Sequence, residues 1–336
     1  MQRATFANRA LGFIASVVLL AGCGGGVGNA PMQTSLLPPS SMFGNAHTKR
    51  ADSWMAPEAT SEDLLYVSDA DGVVDVFSYP DGKLVGVLKG FSSPAGLCSD
   101  AAGNVFVTDT NSLEILEYRH GAKKPLKAPL NDFGHYPFGC AVDPKTKNVA
   151  VANYASTLKN GPGSVSVFIG GKGEPHSYQN TAFNVYFFCS YDDNGNLFVD
   201  GADYGSYHTL FAELAKGSST LTSVTLNQTI GYPGGVQWDG KYIAVQDTYT
   251  HTIYRFSISG SNGKSMGAVH VKGDESGLLA QFWIDGSTVV VPYGTKPRET
   301  RSVGLWPYAG GGSPTKGFSV AHATELVGAT VSLAKK

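Results

Sequence analysis

The sequence predicts an all-β protein folded as a six-bladed β-propeller that the C-terminal strand closes. A cassette of a short apolar strand ending in Asp, a turn with Gly or Asn, and a second apolar strand recurs along the chain. The Asp residues follow one another at intervals of 43, 49, 47 and 46 residues; they are Asp100, Asp143, Asp192, Asp239 and Asp285. A period of about 40–50 residues built from short strands is typical of propeller blades. The 42 glycines and the charged fraction of 15% also suit an all-β chain with many tight turns.

Each cassette supplies the strands of one blade in chain order. The first strand ends at the Asp, and Gly and Asn in the turn after it accept the positive φ of a hairpin tip. The Asp is expected to accept backbone hydrogen bonds within this turn. Second strands are predicted at 64–68, 105–108, 149–152, 197–199, 242–245 and 288–292, and third strands at 73–79, 113–118, 164–169, 209–212, 252–258 and 303–308.

The C-terminus supplies the strand that the first cassette lacks. No first strand precedes the second strand at Leu64, whereas an additional apolar strand, Gly328–Leu333, stands at the end of the chain. Pairing between the two would complete the first blade and close the ring, which removes open sheet edges. We therefore expect residues 62–336 to form one propeller domain.

The N-terminus predicts export. Arg3 and Arg9 precede the apolar run 11–20, which is too short to cross a bilayer and has the features of a secretory signal. The run ends in the tetrapeptide LAGC, which resembles a bacterial lipobox. The resemblance implies that residues 1–22 are a signal peptide and that Cys23 is acylated. An ordinary signal peptide with a chance cysteine is the alternative.

The residues after the cysteine indicate a destination and a tether. Gly24, rather than Asp, follows Cys23, which resembles sorting to the outer membrane in Gram-negative bacteria. Residues 23–61 are rich in Gly, Pro, Ser and Asn and show no sustained apolar period. We expect them to be a lipidated, disordered tether between the membrane and the propeller.

One stretch of the chain resembles a known family. Residues 94–110 read PAGLCSDAAGNVFVTDT and resemble an NHL repeat, and residues 137–154 and 233–248 are looser copies. The chain after residue 62 is accordingly similar to the NHL and regucalcin/gluconolactonase-like six-bladed propellers. That resemblance implies the fold, but the family contains lactonases, lyases and binding modules without catalysis.

The lactonases of this family imply a divalent metal at the channel mouth, held by a Glu from the first inner strand together with Asn and Asp. The closing strand of this chain has no acid, and Glu325 before it is a poor substitute. Asn153 and Asp247 follow second strands, as such ligands would, and are weak metal candidates. We predict no cofactor, with a divalent metal as the open alternative.

Aromatic and polar residues collect in loops at the face where the first strands begin. Because these loops come from different blades, we expect them to converge at the channel mouth, where rings stack on a ligand and polar groups bond it. The candidate ligand-binding residues are Asp109, Tyr136, Asn153, Tyr232, Asp247 and Tyr249. The alternative is structural: the tyrosines fill the rim and the carboxylates cap turns.

Charge and cysteine usage limit partners and covalent links. A formal net charge of −2 predicts no basic patch and hence no nucleic acid partner. Counting along the strands places Cys140 and Cys189 at the same position of neighbouring blades, where they cannot face each other. Cys98–Cys140 is the only tolerable bridge, but sheets packed about 10 Å apart make it demanding away from the axis. Three buried thiols are expected.

Together these patterns predict an exported, lipid-anchored propeller that acts as a binding or scaffolding module at the cell envelope. Its partners would be the membrane, through the anchor, and a small molecule or an envelope protein on the rim. Two alternatives remain: a periplasmic metal-dependent lactonase or hydrolase, and a subunit of an envelope protein complex. No motif identifies a catalytic residue.

Overall fold

A computed structural model of the chain describes residues 52–159, 161–204, 208–273, 280–295 and 300–335. The predicted signal peptide, Cys23 and the tether up to residue 51 lie outside these ranges. Within them, no helix has the length and apolar character needed to cross a membrane. The helical segments described are short 3-10 turns at Pro57–Thr60, Thr110–Ser112 and Ile169–Gly171.

The described strands form six sheets, each the blade of a propeller. Blade 1 contains β1 (Trp54–Met55), β2 (Leu64–Asp69), β3 (Val73–Ser78), β4 (Leu84–Lys89) and β26 (Leu326–Ser332). Blade 2 contains β5 (Pro94–Ser99), β6 (Val105–Asp109), β7 (Glu114–Tyr118) and β8 (Leu130–Asn131). Blade 3 contains β9 (His135–Val142), β10 (Val149–Ser156), β11 (Ser164–Phe168) and β12 (His176–Tyr178).

The second half of the ring repeats this plan. Blade 4 contains β13 (Val185–Tyr191), β14 (Leu197–Ala202), β15 (Thr209–Leu214) and β16 (Leu221–Ser223). Blade 5 contains β17 (Thr225–Leu226), β18 (Pro233–Trp238), β19 (Ile243–Asp247), β20 (Thr252–Ser259) and β21 (Asn262–His270). Blade 6 contains β22 (Trp283–Asp285), β23 (Thr288–Thr295), β24 (Thr300–Pro307) and β25 (Lys316–Ser319).

The ring closes through the last strand. Strand β26 pairs antiparallel with β2, from Leu64 opposite Ser332 to Asp69 opposite Leu326. The inner strands then touch in the order β26, β5, β9, β13, β18, β22 and back to β26. The predicted all-β, six-bladed propeller is therefore confirmed, and the C-terminal strand is the innermost strand of blade 1.

The ring has two faces, which we name by the course of the inner strands. The inner strands begin at the start face, where the second strands also end. They finish at the hairpin face, where each turns into the second strand of its blade. Four of the five repeated Asp residues cap this turn as predicted: Asp100 and Asp192, for example, accept the N–H of Asn104 and Asn196, both at 2.9 Å.

Glycine in the inner strands lets neighbouring blades approach closely at the axis. A Cβ on Gly96 would lie 2.5 Å from the carbonyl oxygen of Phe138, and one on Gly328 would lie 2.6 Å from that of Ala95. Gly139 and Gly235 are equally crowded by the next blade. This position of the inner strand therefore requires glycine, because the inner strand of the next blade occupies the space that a side chain would need.

This close approach explains a correction to the cysteine prediction. Cys98 and Cys140 form a disulfide between β5 and β9, with their Cα atoms 5.7 Å apart. The expectation of three thiols was wrong for these two, because the inner strands near the axis lie much closer than packed sheets elsewhere. Cys189 is free and buried, as predicted.

The end of the predicted tether is ordered. Strand β1 pairs with β4, Trp54 opposite Val87 and Met55 opposite Gly86, and Ala59 is fully buried in the core of blades 1 and 2. The prediction of a disordered segment up to residue 61 is therefore wrong for residues 54–61. Strand β1 can pair with β4 because residue 86 is a glycine: a side chain at this position would collide with that of Met55.

Candidate functional site

Aromatic side chains fill the centre of the ring on the start-face side. Ala95, Phe138, Phe187 and Val327, each from the inner strand of a different blade, belong to one buried cluster. The ring centroids of Phe138 and Phe187 lie 5.9 Å apart, and Tyr154 lies 5.8 Å from Phe187. Side chains from four blades can meet only at the axis, so this aromatic plug closes the channel at the start face.

Two of the three tyrosines predicted to bind a ligand at this face pack against the aromatic plug. Tyr136 and Tyr232 are half-buried and pack against the same cluster. Burial raises the pKa of Tyr232 to about 12. Tyr249 is the exception, with 65% of its surface exposed. The structure thus brings Tyr136 and Tyr232 to one core, and it leaves only Tyr249 of the three projecting into solvent.

The predicted carboxylates are buried and hold backbone. Asp109 accepts the N–H groups of Ser92 (2.9 and 3.0 Å) and Ser93 (2.7 Å). Asp247 accepts those of Gly231, Tyr232 and Tyr249 at 3.0–3.2 Å. Both residues are 2% exposed. Each carboxylate therefore ties the end of a second strand to the loop before the inner strand of its own blade.

Asn153 lies at the same repeat position but has different partners. Its Nδ2 donates to Asp132 Oδ2 (2.9 Å), Ser164 Oγ (3.0 Å) and Ser166 Oγ (2.9 Å), and the residue is fully buried. In the described part of the chain, no three His, Cys, Asp or Glu side chains are grouped as metal ligands would be. Of the two weak metal candidates, Asp247 uses both carboxylate oxygens for the fold. Asn153 Oδ1, the atom that would ligate a metal, is buried and has no hydrogen-bond partner among the described residues.

The channel is open at the hairpin face instead. A cavity of about 170 Å³ lies among the hairpin ends of the inner strands of blades 2–6. A second cavity, of about 270 Å³, adjoins it toward blade 1, and Ser99 and Trp283 line both. Since residues of all six blades surround these two cavities, which we call the channel mouth, they mark the axis of the ring.

Aromatic rings form much of the wall of the channel mouth. Trp238, Trp283 and Tyr191 line the first cavity, beside the Cys98–Cys140 disulfide. Trp238 is fixed at both ends, because its backbone N–H donates to Ser190 Oγ and its Nε1 donates to Asp193 Oδ2, both at 2.9 Å. A held indole of this kind offers a flat surface on which a ring can stack.

Side-chain amides in the wall of the channel mouth join the blades. Gln281 Oε1 accepts the N–H of Leu97 (2.8 Å), which links blade 6 to blade 2. Gln237 accepts the N–H of Ile284 (2.6 Å) and donates to its carbonyl oxygen (3.2 Å), which links blade 5 to blade 6. These bonds hold the mouth in one shape before any ligand arrives.

The electrostatics of the channel mouth exclude one kind of ligand. Among the described residues, the charged side chains that line it are carboxylates, Asp100, Asp193 and Asp285, and no Lys, Arg or His does so. Burial raises the pKa of the Cys189 thiol and of Tyr191, so both are neutral near pH 7. The site can accept neutral or cationic groups and would repel an anion.

The sequence-based prediction placed its candidate site at the opposite face and did not single out the residues of the channel mouth. A signal was present in the repeat, because Tyr191 and Trp238 each stand one position before the terminal Asp of an inner strand, and Trp283 stands two before. These three are the large aromatic side chains that stand one or two positions before the repeated Asp residues. Their convergence follows only once the inner strands are known to end together at the axis.

These features define the chain as a six-bladed β-propeller with a one-ended central channel, and the comparisons agree on the fold. No protein-family model and no curated protein matches the sequence. Solved structures do match. A chain of a nidogen/laminin complex has a TM-score of 0.62 at 14% identity, covering 82% of this chain and 100% of that one.

Two bacterial structures are similar to a comparable degree. A protein of unknown function from Bacteroides caccae has a TM-score of 0.58 at 12% identity, covering 81% of this chain and 99% of that one. TolB from Acinetobacter baumannii has a TM-score of 0.56 at 13% identity, covering 82% and 68%. At such identities the likeness shows the propeller fold alone.

Proposed function

We propose that this chain is an exported, lipid-anchored binding module of the cell envelope, which takes a neutral or cationic, ring-bearing small molecule into the channel mouth. The observation that carries the proposal is the channel mouth itself, a preformed concave site at the ring axis whose wall, as far as the described residues form it, contains two tryptophans and no cation. The resemblance to NHL and regucalcin-like propellers is compatible with a binding role, since that family includes binding modules as well as enzymes, and it names no ligand.

The ligand test uses the tryptophans of the mouth. Neutral sugars, amines and cationic peptides are screened by fluorescence titration, and binders are measured by calorimetry. Trp238→Ala and Trp283→Ala should each weaken binding about tenfold, since a stacked ring is worth up to about 1.5 kcal/mol. Trp54→Ala is the matched control: it removes an indole from the outer edge of blade 1 and should leave the affinity unchanged.

Other outcomes would overturn the assignment. A ligand that is lost in Tyr249→Ala but binds normally to both tryptophan variants would move the site to the start face, where the exposed ring of Tyr249 lies. Preferential binding of anionic compounds would contradict the charge argument. Unfolding midpoints of all variants separate loss of binding from loss of fold.

The anchor is tested independently. Cys23 follows an apolar run that resembles a lipoprotein signal, so its thiol is expected to carry the lipid. Cys23→Ser should release the protein from the membrane fraction of the expressing cells. A variant that still partitions with the membrane into detergent would show that Cys23 is not the anchor.

A further inference from the structure

The hairpin face carries a basic surface that the net charge conceals. Seven of the 25 Lys and Arg residues of the chain lie on three adjoining turns of blades 2 and 3, all exposed; they are Arg119, Lys123, Lys124, Lys127, Lys145, Lys147 and Lys172. We call them the basic turns. A net charge of −2 is compatible with this local excess of positive charge, because the compensating acids lie outside the basic turns.

Hydrogen bonds show that the three turns form one surface. Lys127 Nζ donates to the carbonyl oxygen of Gly171 (2.7 Å), which joins the turn after β7 to the turn after β11. The N–H of Gly170 donates to Asn148 Oδ1 (2.9 Å), which joins that turn to the one after β9. A groove of about 320 Å³ between blades 2 and 3 has Lys127 and Lys172 in its walls.

The charge of this surface is mostly uncompensated. Within the described ranges, Lys127 is the only one of the seven that forms an ion pair, with Glu117 at 2.8 Å. Asp143 begins the turn after β9, but its carboxylate is buried and accepts the N–H of Lys145 (2.9 Å). Of the acids in these turns, only Glu174 is exposed. A concentrated positive field of this kind attracts an anionic partner.

Two exposed aliphatic side chains stand among the basic residues. Ile169 is 50% exposed and Leu126 is 36% exposed, and the bond from Lys127 to Gly171 brings their turns together. The turns bear no Trp, Tyr or Phe on which a nucleic acid base could stack. Lysines around protruding aliphatic groups are instead the composition of a surface that lies on an anionic bilayer.

We propose that the basic turns dock the propeller onto a membrane that contains anionic phospholipid, with Ile169 and Leu126 entering the headgroup region. The proposal rests on the membrane location given in the proposed function, and it specifies which face of the propeller contacts the bilayer. A basic surface is a common second membrane contact of a lipid-anchored protein.

The test uses the chain from residue 23 onward with Cys23→Ser, which carries no acyl group and keeps every described strand. Cosedimentation is measured with phosphatidylcholine vesicles, with and without about one third phosphatidylglycerol. Binding should require phosphatidylglycerol and should weaken at least tenfold between about 0.01 and 0.15 M ionic strength. Lys123→Gln with Lys124→Gln should reduce partitioning about thirty-fold, since each lysine contributes roughly a factor of five.

Two further variants make the test specific. Lys159→Gln with Lys264→Gln removes the same charge from exposed positions outside the basic turns and should bind like the parent. Ile169→Ser keeps the charge and should weaken vesicle binding several-fold, while binding to soluble dextran sulfate stays unchanged.

Three outcomes would overturn the docking proposal: equal binding to vesicles without anionic lipid, an equal loss in the Lys159/Lys264 variant, or no effect of Ile169→Ser. The last would indicate a soluble polyanion as the partner. Because the chain used has no acyl group, any of these results leaves the anchor at Cys23 and the ligand of the channel mouth to their own tests.

Discussion

The Cys98–Cys140 disulfide offers a quantitative test of how the ring is held together. The bridge joins the inner strands of two neighbouring blades and closes a loop with a sequence separation of 42 residues. In the chain-entropy model, a cross-link of this span removes enough freedom from the unfolded chain to stabilise the fold by about 4 kcal/mol. Residual structure in the unfolded state lowers this figure, so we expect Cys98→Ala with Cys140→Ala to cost about 2–4 kcal/mol.

The free energy of unfolding is measured by urea titration in the presence and absence of a reductant. Reduction should destabilise the parent by the same amount as the double substitution, and reductant should not affect the double variant. Both cysteines line the channel mouth but are only 2% exposed, so the double substitution also loses the packing of two buried sulfur atoms, for which Cys189→Ala provides the comparison. The m-value should rise slightly, because the unfolded chain becomes less compact.

Cys189→Ala serves as the control for loss of a buried sulfur. Cys189 lines the same cavity, forms no bridge and lies at the position of Cys140 in the next blade. Its removal should cost about 1 kcal/mol or less and should leave the response to reductant intact. If mass spectrometry confirms reduction of the parent and its urea midpoint does not move, the bridge does not stabilise the ring and the reasoning fails.

Three further predictions follow from single groups and from the closing strand. Burial and the nearby carboxylate of Asp69 raise the pKa of Asp75 to about 6 from 3.8, although His322 and Lys89 oppose the shift. The folded state thus holds this proton more tightly than the unfolded chain. The contribution of Asp75 to stability is therefore fully present below about pH 3.8 and is lost as the pH rises through about 6. Asp75→Asn should remove that loss and stabilise the protein at pH 7 by about 1–2 kcal/mol in urea titrations. Asp247→Ala should destabilise by about 2–4 kcal/mol, because it leaves backbone N–H groups unpaired, whereas a midpoint equal to that of the parent would reopen a binding role. Deleting residues 326–336 should abolish cooperative unfolding seen by circular dichroism, and a truncated chain that melts like the parent would disprove closure by β26.

Much of the fold could be predicted from sequence because the period and the strand alternation are local. The terminal Asp residues marked five of the six inner strands, and Gly328–Leu333 was identifiable as the missing partner of Leu64. The short strand Trp54–Met55 could not be predicted. It depends on Gly86, thirty residues away, which leaves room for the Met55 side chain at the outer edge of blade 1.

The aromatic plug at the start face could not be predicted because side-chain direction changes within the inner strands. Five of them carry a register shift near the start face; in β13, for example, it falls between Tyr186 and Cys189. A bulge re-aims the side chains beside it. Phe138 and Phe187 lie at such shifts and meet at the axis, where counting along a regular strand would not place them both.

The two proposals have a joint consequence, because the channel mouth and the basic turns both lie on the hairpin face. With the start face closed by the aromatic plug, a ligand has one route to the axis, past the hairpin turns. Docking of blades 2 and 3 would bring this route close to the headgroups. A ligand dissolved in water should then bind more slowly to vesicle-bound protein than to free protein, and Lys123→Gln with Lys124→Gln should abolish the difference. Association rates measured by stopped-flow fluorescence with and without phosphatidylglycerol vesicles decide the point: identical rates would show that the docked surface and the channel mouth do not share an approach.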